Sequence, residues 1–417
     1  MKLRYIILVW VAPLLMHTKT LAQDTNWVKT NTWYFDNFVK DVLPWSLFRE
    51  TFIGVAPEMS GDFDMIFYEN LYKDQLAAKG HCYGMDVMAM LMKKNGGHLG
   101  YCHPPYMYSG TIASNTATSG SPSNDTLGPA DMNLKTAIQL VHGNQINHGF
   151  LLFLLDVLAI AKSRDGKYAC DQVDFYLAKD DPPVISVTKG LSPSEGGHVI
   201  IPYKTQDMGG NIKRIYVYDP NRTFYKPGAE GKDWYVNNKN YIEVNTSSKS
   251  WKFEMVGTLG TWSGEPLSLT GGNCIVIPLS VAGKRDRLPQ SLLAEGAYAI
   301  NTIFIYGDVK LKQVSDPATG RRYFQKKGTK PERRAAKRLN NFLPFIPMDG
   351  NVASGANDNR VYFFRGTNPL HLQYRAYGAY RIGMIYHGQY LEVKGNGTGA
   401  VQDFRPDEMM PKKLKAF

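Results

Sequence analysis

Two separated stretches carry residue types that could do chemistry together. The first is Lys79-Gly80-His81-Cys82-Tyr83-Gly84-Met85. A glycine permits a tight turn, and helix-forming residues then run to Lys94, where Asn95-Gly96-Gly97 stops them. This pattern predicts a helix with the Cys82 sulfur in its first turn. Unpaired N–H groups and the positive end of the helix dipole favour thiolate over thiol there. Cys82 is therefore a candidate nucleophile. The plainer reading of a lone cysteine is a buried small hydrophobe or half of a disulfide.

The second stretch is Gly197-His198-Val199-Ile200-Ile201-Pro202-Tyr203, then Asp207-Met208-Gly209-Gly210-Asn211, then Ile212 to Asn221. It reads as strand, glycine turn, strand. With the hairpin axis between Met208 and Gly209, His198 faces Asp219 at the open end. Directly opposed residues have Cβ atoms about 5 Å apart. A carboxylate at that distance can fix one imidazole nitrogen and leave the other for a thiol. The plainer reading is a surface histidine and a turn aspartate before a proline. Gln75, seven residues before Cys82, sits on an expected helix over residues 67–79. Its amide could assist the Cys82 N–H in holding an oxyanion, or it could be an exposed helix residue.

Further elements must position these groups. Residues 24–63 hold Trp27, Trp33 and Trp45 and are expected to pack on the catalytic unit; a removable pro-segment is the alternative. Residues 131–141 read as an amphipathic helix. Residues 146–162 read as a buried apolar helix, too short in its uninterrupted run for a membrane span. Residues 109–129, rich in Ser, Thr, Asn and Gly, read as a loop. A buried strand over residues 184–187 leads to the His198 hairpin, and residues 241–256 supply two more strands.

Beyond a glycine-rich boundary at residues 257–264, short strands follow from Cys274 to Val393. They predict an antiparallel β-sandwich accessory unit over residues 263–417. The catalytic unit spans residues 23–262. Residues 1–22 have a basic start (Lys2, Arg4), an apolar run and small residues at Thr20-Leu21-Ala22, which predicts a signal peptide and a secreted or periplasmic location. Loss of Lys2, Arg4 and Lys19 lowers the formal net charge from +11 to +8. No transmembrane span is expected after signal removal.

The other cysteines are Cys102, Cys170 and Cys274; a Cys102–Cys170 disulfide with Cys274 reduced is one arrangement among several. His98, Cys102 and His103 lack a second ligand pair at zinc spacing, so neither a metal nor another cofactor is expected. From Arg321 to Arg338 the chain holds nine basic residues and one acid, Glu332. A solvated loop is one reading and attraction to an anionic cell-surface polymer is the other. No nucleic-acid fold signature accompanies it.

The order helix with Cys, helices, then strands with His and Asp resembles a family. Gly80 to Met85, Pro183-Val184-Ile185-Ser186, Gly197-His198-Val199 and Tyr218-Asp219-Pro220-Asn221 are similar to papain-like cysteine peptidases. The nearest resemblance is to the bacteriocin-processing (double-glycine) peptidases and their secreted relatives, in which a Gly-His strand precedes a Tyr-Asp-Pro turn. The resemblance covers roughly residues 40–260. It implies an α+β catalytic domain, helical around Cys82 and with an antiparallel sheet around His198 and Asp219. It further implies Cys82 as nucleophile, His198 as general base and acid, Asp219 as orienting residue and Gln75 as oxyanion donor. The chain departs from papain in its aspartate at the orienting position, in a Gln–Cys spacing one residue longer, and in lacking Cys-Gly-x-Cys-Trp. The expected substrate is a peptide or protein. A transglutaminase-like acyltransferase or a cysteine amidase would use the same groups, and an inactive papain-like secreted binding protein is the non-enzymatic alternative.

Overall fold

The computed structural model describes the chain apart from residues 1–24, 40–41, 58–62, 78, 110–131, 161, 192–195, 267, 269–270, 290–299, 318, 326–341, 351–359, 367–369, 387–388 and 410–417. The expected signal peptide, nearly all of the loop at 109–129 and the basic stretch beyond Gln325 lie outside the described residues.

Helix α1 (Cys82–Asn95) begins and ends where the sequence places it, closed by Gly96 at φ 70°. Its residues from Cys82 to Met92 are all buried. It packs on α2 (Leu134–Gly143) and on the strand that carries His198. The approach to α2 is close because position 84 is glycine: a Cβ there would lie 2.3 Å from Ile138 O. Asn133 caps α2 by accepting from Thr136 N–H at 2.9 Å. The apolar segment expected to be buried forms α3 (His148–Ala159), with Asp156 at its surface paired to Arg365 at 2.8 Å. Asp165 caps α4 (Gly166–Ala178). No helix among the described residues is long and apolar enough to cross a membrane.

Seven antiparallel strands form the first sheet: β1 (Val184–Thr188), β2 (Gly197–Gly209), β3 (Ile212–Tyr218), β4 (Tyr241–Asn245), β5 (Trp251–Glu254), β6 (Thr261–Gly264) and β7 (Cys274–Ile277). Their order is β6-β5-β4-β3-β2-β1-β7. All of β1 is buried, as its run of apolar residues requires. The segment at Cys274, expected in the second unit, instead extends the first sheet by pairing with β1. Residues 261–264, read as a boundary, are likewise an edge strand of this sheet. The expected pair Tyr241–Asn245 and Trp251–Glu254 is present.

The β2–β3 register differs from the expected one. Ile201 faces Tyr218 instead of Tyr216, and the pairing shifts between Pro202 and Lys204 and again between Asp207 and Gly209. The turn is the two-residue Gly210-Asn211, both at positive φ (59° and 67°), as right-handed strand twist favours. Each irregularity adds an unpaired residue to β2, and a symmetric hairpin estimate misses both.

The second sheet begins at β8 (Ile300–Ser315) and runs β10-β11-β8-β12-β13, with β9 (Arg322–Gln325) also on β8. Here β10 is Phe342–Pro344, β11 Arg360–Arg365, β12 His371–Tyr386 and β13 Gln389–Phe404. The two segments expected at residues 370–374 and 380–390 differ from this, because β12 is one continuous strand that passes an irregularity at Arg375–Tyr377. Leu343, Phe345, Met348 and Phe363 of this region join the same buried cluster as α1 and β1. The second sheet is thereby fixed against the first.

Candidate active site

Cys82 opens α1 and is fully buried. Residues far away in sequence hold the chain around it. Trp33 Nε1 donates to Met85 O at 2.8 Å, and Asn37 Oδ1 accepts from His81 N–H at 2.6 Å. Trp33 and Asn37 thus pack this N-terminal segment against the site. Gly84 N–H donates to His142 Nδ1 at 3.3 Å, tying α1 to α2. Burial holds the His142 ring well below its usual pKa, helped by His81 beside it.

The expectation that the helix terminus lowers the Cys82 pKa is overturned. Burial pushes the thiol well above its usual range, and the charges of Asp349, Asp86 and Asp219 act in the same direction. The Val199 backbone N–H at the sulfur works against them. Loss of water from around the sulfur outweighs a helix-end dipole of modest strength.

His198 and Asp219 meet, although not as opposed partners. With Tyr218 opposite Ile201, the next pair outward would set Asp219 against Ile200, a diagonal neighbour of His198 on the same face. The side chains bridge that offset: His198 Nε2 and Asp219 Oδ1 are 2.7 Å apart, both fully buried. Asp219 Oδ1 also accepts from Asn221 N–H at 2.8 Å. Burial acts to raise the Asp219 pKa, but His198, Arg222 and the Asn221 N–H together hold it below the usual carboxylate value. His198 Nδ1 and Asp219 Oδ2 are buried without a hydrogen-bond partner. The nitrogen expected to serve the thiol is therefore available, while the thiol itself donates elsewhere.

Its acceptor is Met348 O, 3.2 Å from Sγ. Met348 belongs to a buried segment, Phe345 to Gly350, that leaves β10 and crosses the site. Met348 forms a parallel bridge with Gly197 at the start of β2. Its N–H donates to Gln145 Oε1 at 3.0 Å, and Gly350 N–H donates to Gly197 O at 2.9 Å. Gly350 lies over His198 at φ 72°; a Cβ there would be 2.8 Å from both His198 Nδ1 and Asn37 Nδ2. Asn37 Nδ2 donates to Asp349 O at 2.9 Å, and Asn221 Nδ2 donates to Gly350 O at 3.2 Å.

Gln75 is buried at the end of a π-helix, Tyr68–Ala77, and not on an exposed helix face. Its Nε2 has no partner, and no hydrogen bond joins it to Cys82. Gln145, which does reach the backbone crossing the site, falls in the short gap between the two helices read from sequence. No periodic signal marks it. Asn37, His142 and Met348 were missed for the same reason, since each acts through a contact distant in sequence.

The described residues contain no disulfide. Cys102 is exposed, and Cys82, Cys170 and Cys274 are buried and free. The Cys102–Cys170 pairing is thus corrected: Cys170 lies on the buried side of α4, near enough to Cys274 to raise its pKa further. Comparison with family models, curated proteins and solved structures found no match for the chain.

Proposed function

We propose that this protein is a cysteine peptidase of papain-like type, with the second sheet as an accessory, sandwich-type unit. The observation that carries this reading is the convergence of Cys82 and the His198–Asp219 pair on one stretch of peptide backbone. Met348 O accepts from the thiol, and Gly350, two residues on, covers His198 Nδ1. A stretch of peptide backbone thus already lies against a helix-terminal sulfur and an oriented imidazole.

In the reaction, His198 Nδ1 takes the Cys82 proton while Asp219 holds Nε2. The sulfur attacks the amide carbon, and the carbonyl oxygen becomes an oxyanion. The Cys82 N–H, which has no intrahelical acceptor in the first turn, is placed to receive it, with Gln75 as a second donor. His198 returns the proton to the leaving amine, and a thioester remains. Water, deprotonated by His198, then releases the acyl group and restores the thiol.

The test is hydrolysis of a random peptide mixture, with new termini read by mass spectrometry. Because Cys82 is covered, the protein carrying Gly350→Leu is assayed beside the wild type. Cleavage that is lost in Cys82→Ser and in His198→Ala is expected. Cleavage unchanged by Cys82→Ser removes the peptidase reading.

A further inference from the structure

We propose that Phe345 to Gly350 is a tethered ligand of the Cys82–His198 cleft. It keeps the resting protein closed, and it displays the class of peptide that the open cleft takes. The inference rests on the peptidase reading for the word substrate, but the binding it describes does not need catalysis.

The segment is held as a bound peptide would be. Its backbone is read on both sides, by Gln145 through Met348 N–H and by Gly197 through Gly350 N–H. Two asparagines from other parts of the chain, Asn37 and Asn221, donate to the carbonyls of Asp349 and Gly350. One of these bonds, Gly350 N–H to Gly197 O beside the Met348–Gly197 bridge, is strand-like pairing, and the other three are side-chain clamps on the segment's backbone. Neither Asn37 nor Asn221 serves an element of secondary structure by doing so.

The side chains then state a preference. Ile346 and Met348 line an 80 Å³ cavity whose other walls include Leu154, Leu158, Ile275 and Leu343. Asp349 lies 3.7 Å from Lys79, which is itself mostly buried. Gly350 sits where any side chain would strike His198 and Asn37. The cleft therefore takes a segment with apolar residues up to the carbonyl facing Cys82 that turns at its last residue. An acidic residue and then a glycine follow.

The same contacts close the site. The Cys82 proton is given to Met348 O and not to His198, whose Nδ1 has no partner. The sulfur is shut off from solvent. Substrate reaches it only when the segment withdraws, and a peptide of like sequence competes for the vacated cleft.

The experiment follows Cys82 alkylation by iodoacetamide, resolved by peptide mass mapping, with the buried Cys170 and Cys274 as internal controls. Wild-type Cys82 reacts slowly. Gly350→Leu, which forces the segment off His198, and Asp349→Asn, which loses the contact with Lys79, speed its alkylation by roughly tenfold or more while the two controls stay unmodified. A synthetic peptide of the sequence Phe345 to Gly350 slows alkylation of the Gly350→Leu protein, and the same peptide with Glu in place of its Met does not. Equal Cys82 rates in wild type and both variants overturn the proposal. So does faster alkylation that the peptide leaves unchanged, or that includes Cys170 and Cys274 to the same degree. Protection without any hydrolysis would leave the tethered ligand standing and remove the peptidase reading alone.

Discussion

Replacing Asp219 by Asn and by Ala should give sharply different proteins. Both hydrogen bonds of the carboxylate fall on Oδ1, to His198 at 2.7 Å and to Asn221 N–H at 2.8 Å, while Oδ2 has no partner. An asparagine can keep both by placing its carbonyl oxygen at the Oδ1 position. It cannot turn its NH₂ there, because that would set a donor against the Asn221 N–H. The His198 tautomer is therefore preserved in Asp219→Asn. The cost is a buried NH₂ at the Oδ2 position plus the lost charge, about 1–2 kcal/mol. Asp219→Ala strands two donors, the fully buried His198 ring nitrogen and the partly buried Asn221 N–H, at about 1–3 kcal/mol each, for a total of about 2–6 kcal/mol.

Urea denaturation reads these losses, and peptide cleavage by the Gly350→Leu protein reads the consequence for His198. Asn should retain cleavage within about tenfold, and Ala should lose it by about 10²-fold or more. The pH dependence adds a check. The folded-state pKa of Asp219 is lowered, so its contribution is complete above the ordinary carboxylate value and is lost as pH falls through the lowered one. Asp219→Asn should therefore remove part of the acid destabilisation. Equal losses from Asn and Ala would refute the reasoning, because they would mean that charge and not the acceptor position matters.

Three further outcomes are expected. Asp86 is fully buried in α1 with neither carboxylate oxygen hydrogen-bonded, and burial, with Asp219's charge added, raises its pKa; its stability contribution is present below the ordinary carboxylate value and fades as pH rises toward the raised one. Asp86→Asn should then stabilise the protein by about 1–2 kcal/mol at pH 7 and flatten that decline in denaturation curves taken across pH. Gly84→Ala puts a Cβ 2.3 Å from Ile138 O and 2.8 Å from His142 Cβ, so it should cost about 1–3 kcal/mol in thermal unfolding by forcing α1 from α2. A thiol-specific dye should react quickly with Cys102 in the native protein and with all four cysteines after denaturation without reductant; a count of two on denaturation would contradict the free-thiol assignment.

What the sequence determined by itself was local. The start of α1 at Cys82, its end at Gly96, the buried strand β1 and the β4–β5 pair follow from apolar periodicity, a stop signal and turn residues. All of these act within a few positions of chain. The meeting of His198 with Asp219 was legible as well, because an offset of two in register preserves the face on which a side chain lies.

The tertiary structure decided everything that depends on distant segments. It set the register irregularities in β2, moved Cys274 to the edge of the first sheet, and left the cysteines unpaired. It also raised the Cys82 pKa, since the helix dipole can be read from local spacing but the exclusion of water from the sulfur cannot. Above all it brought Met348 and Gly350 across the site from more than 250 residues downstream of Cys82. Hydrogen bonds to backbone carbonyls place almost no constraint on residue type, so the residues of such a covering segment leave no pattern by which the sequence could announce it.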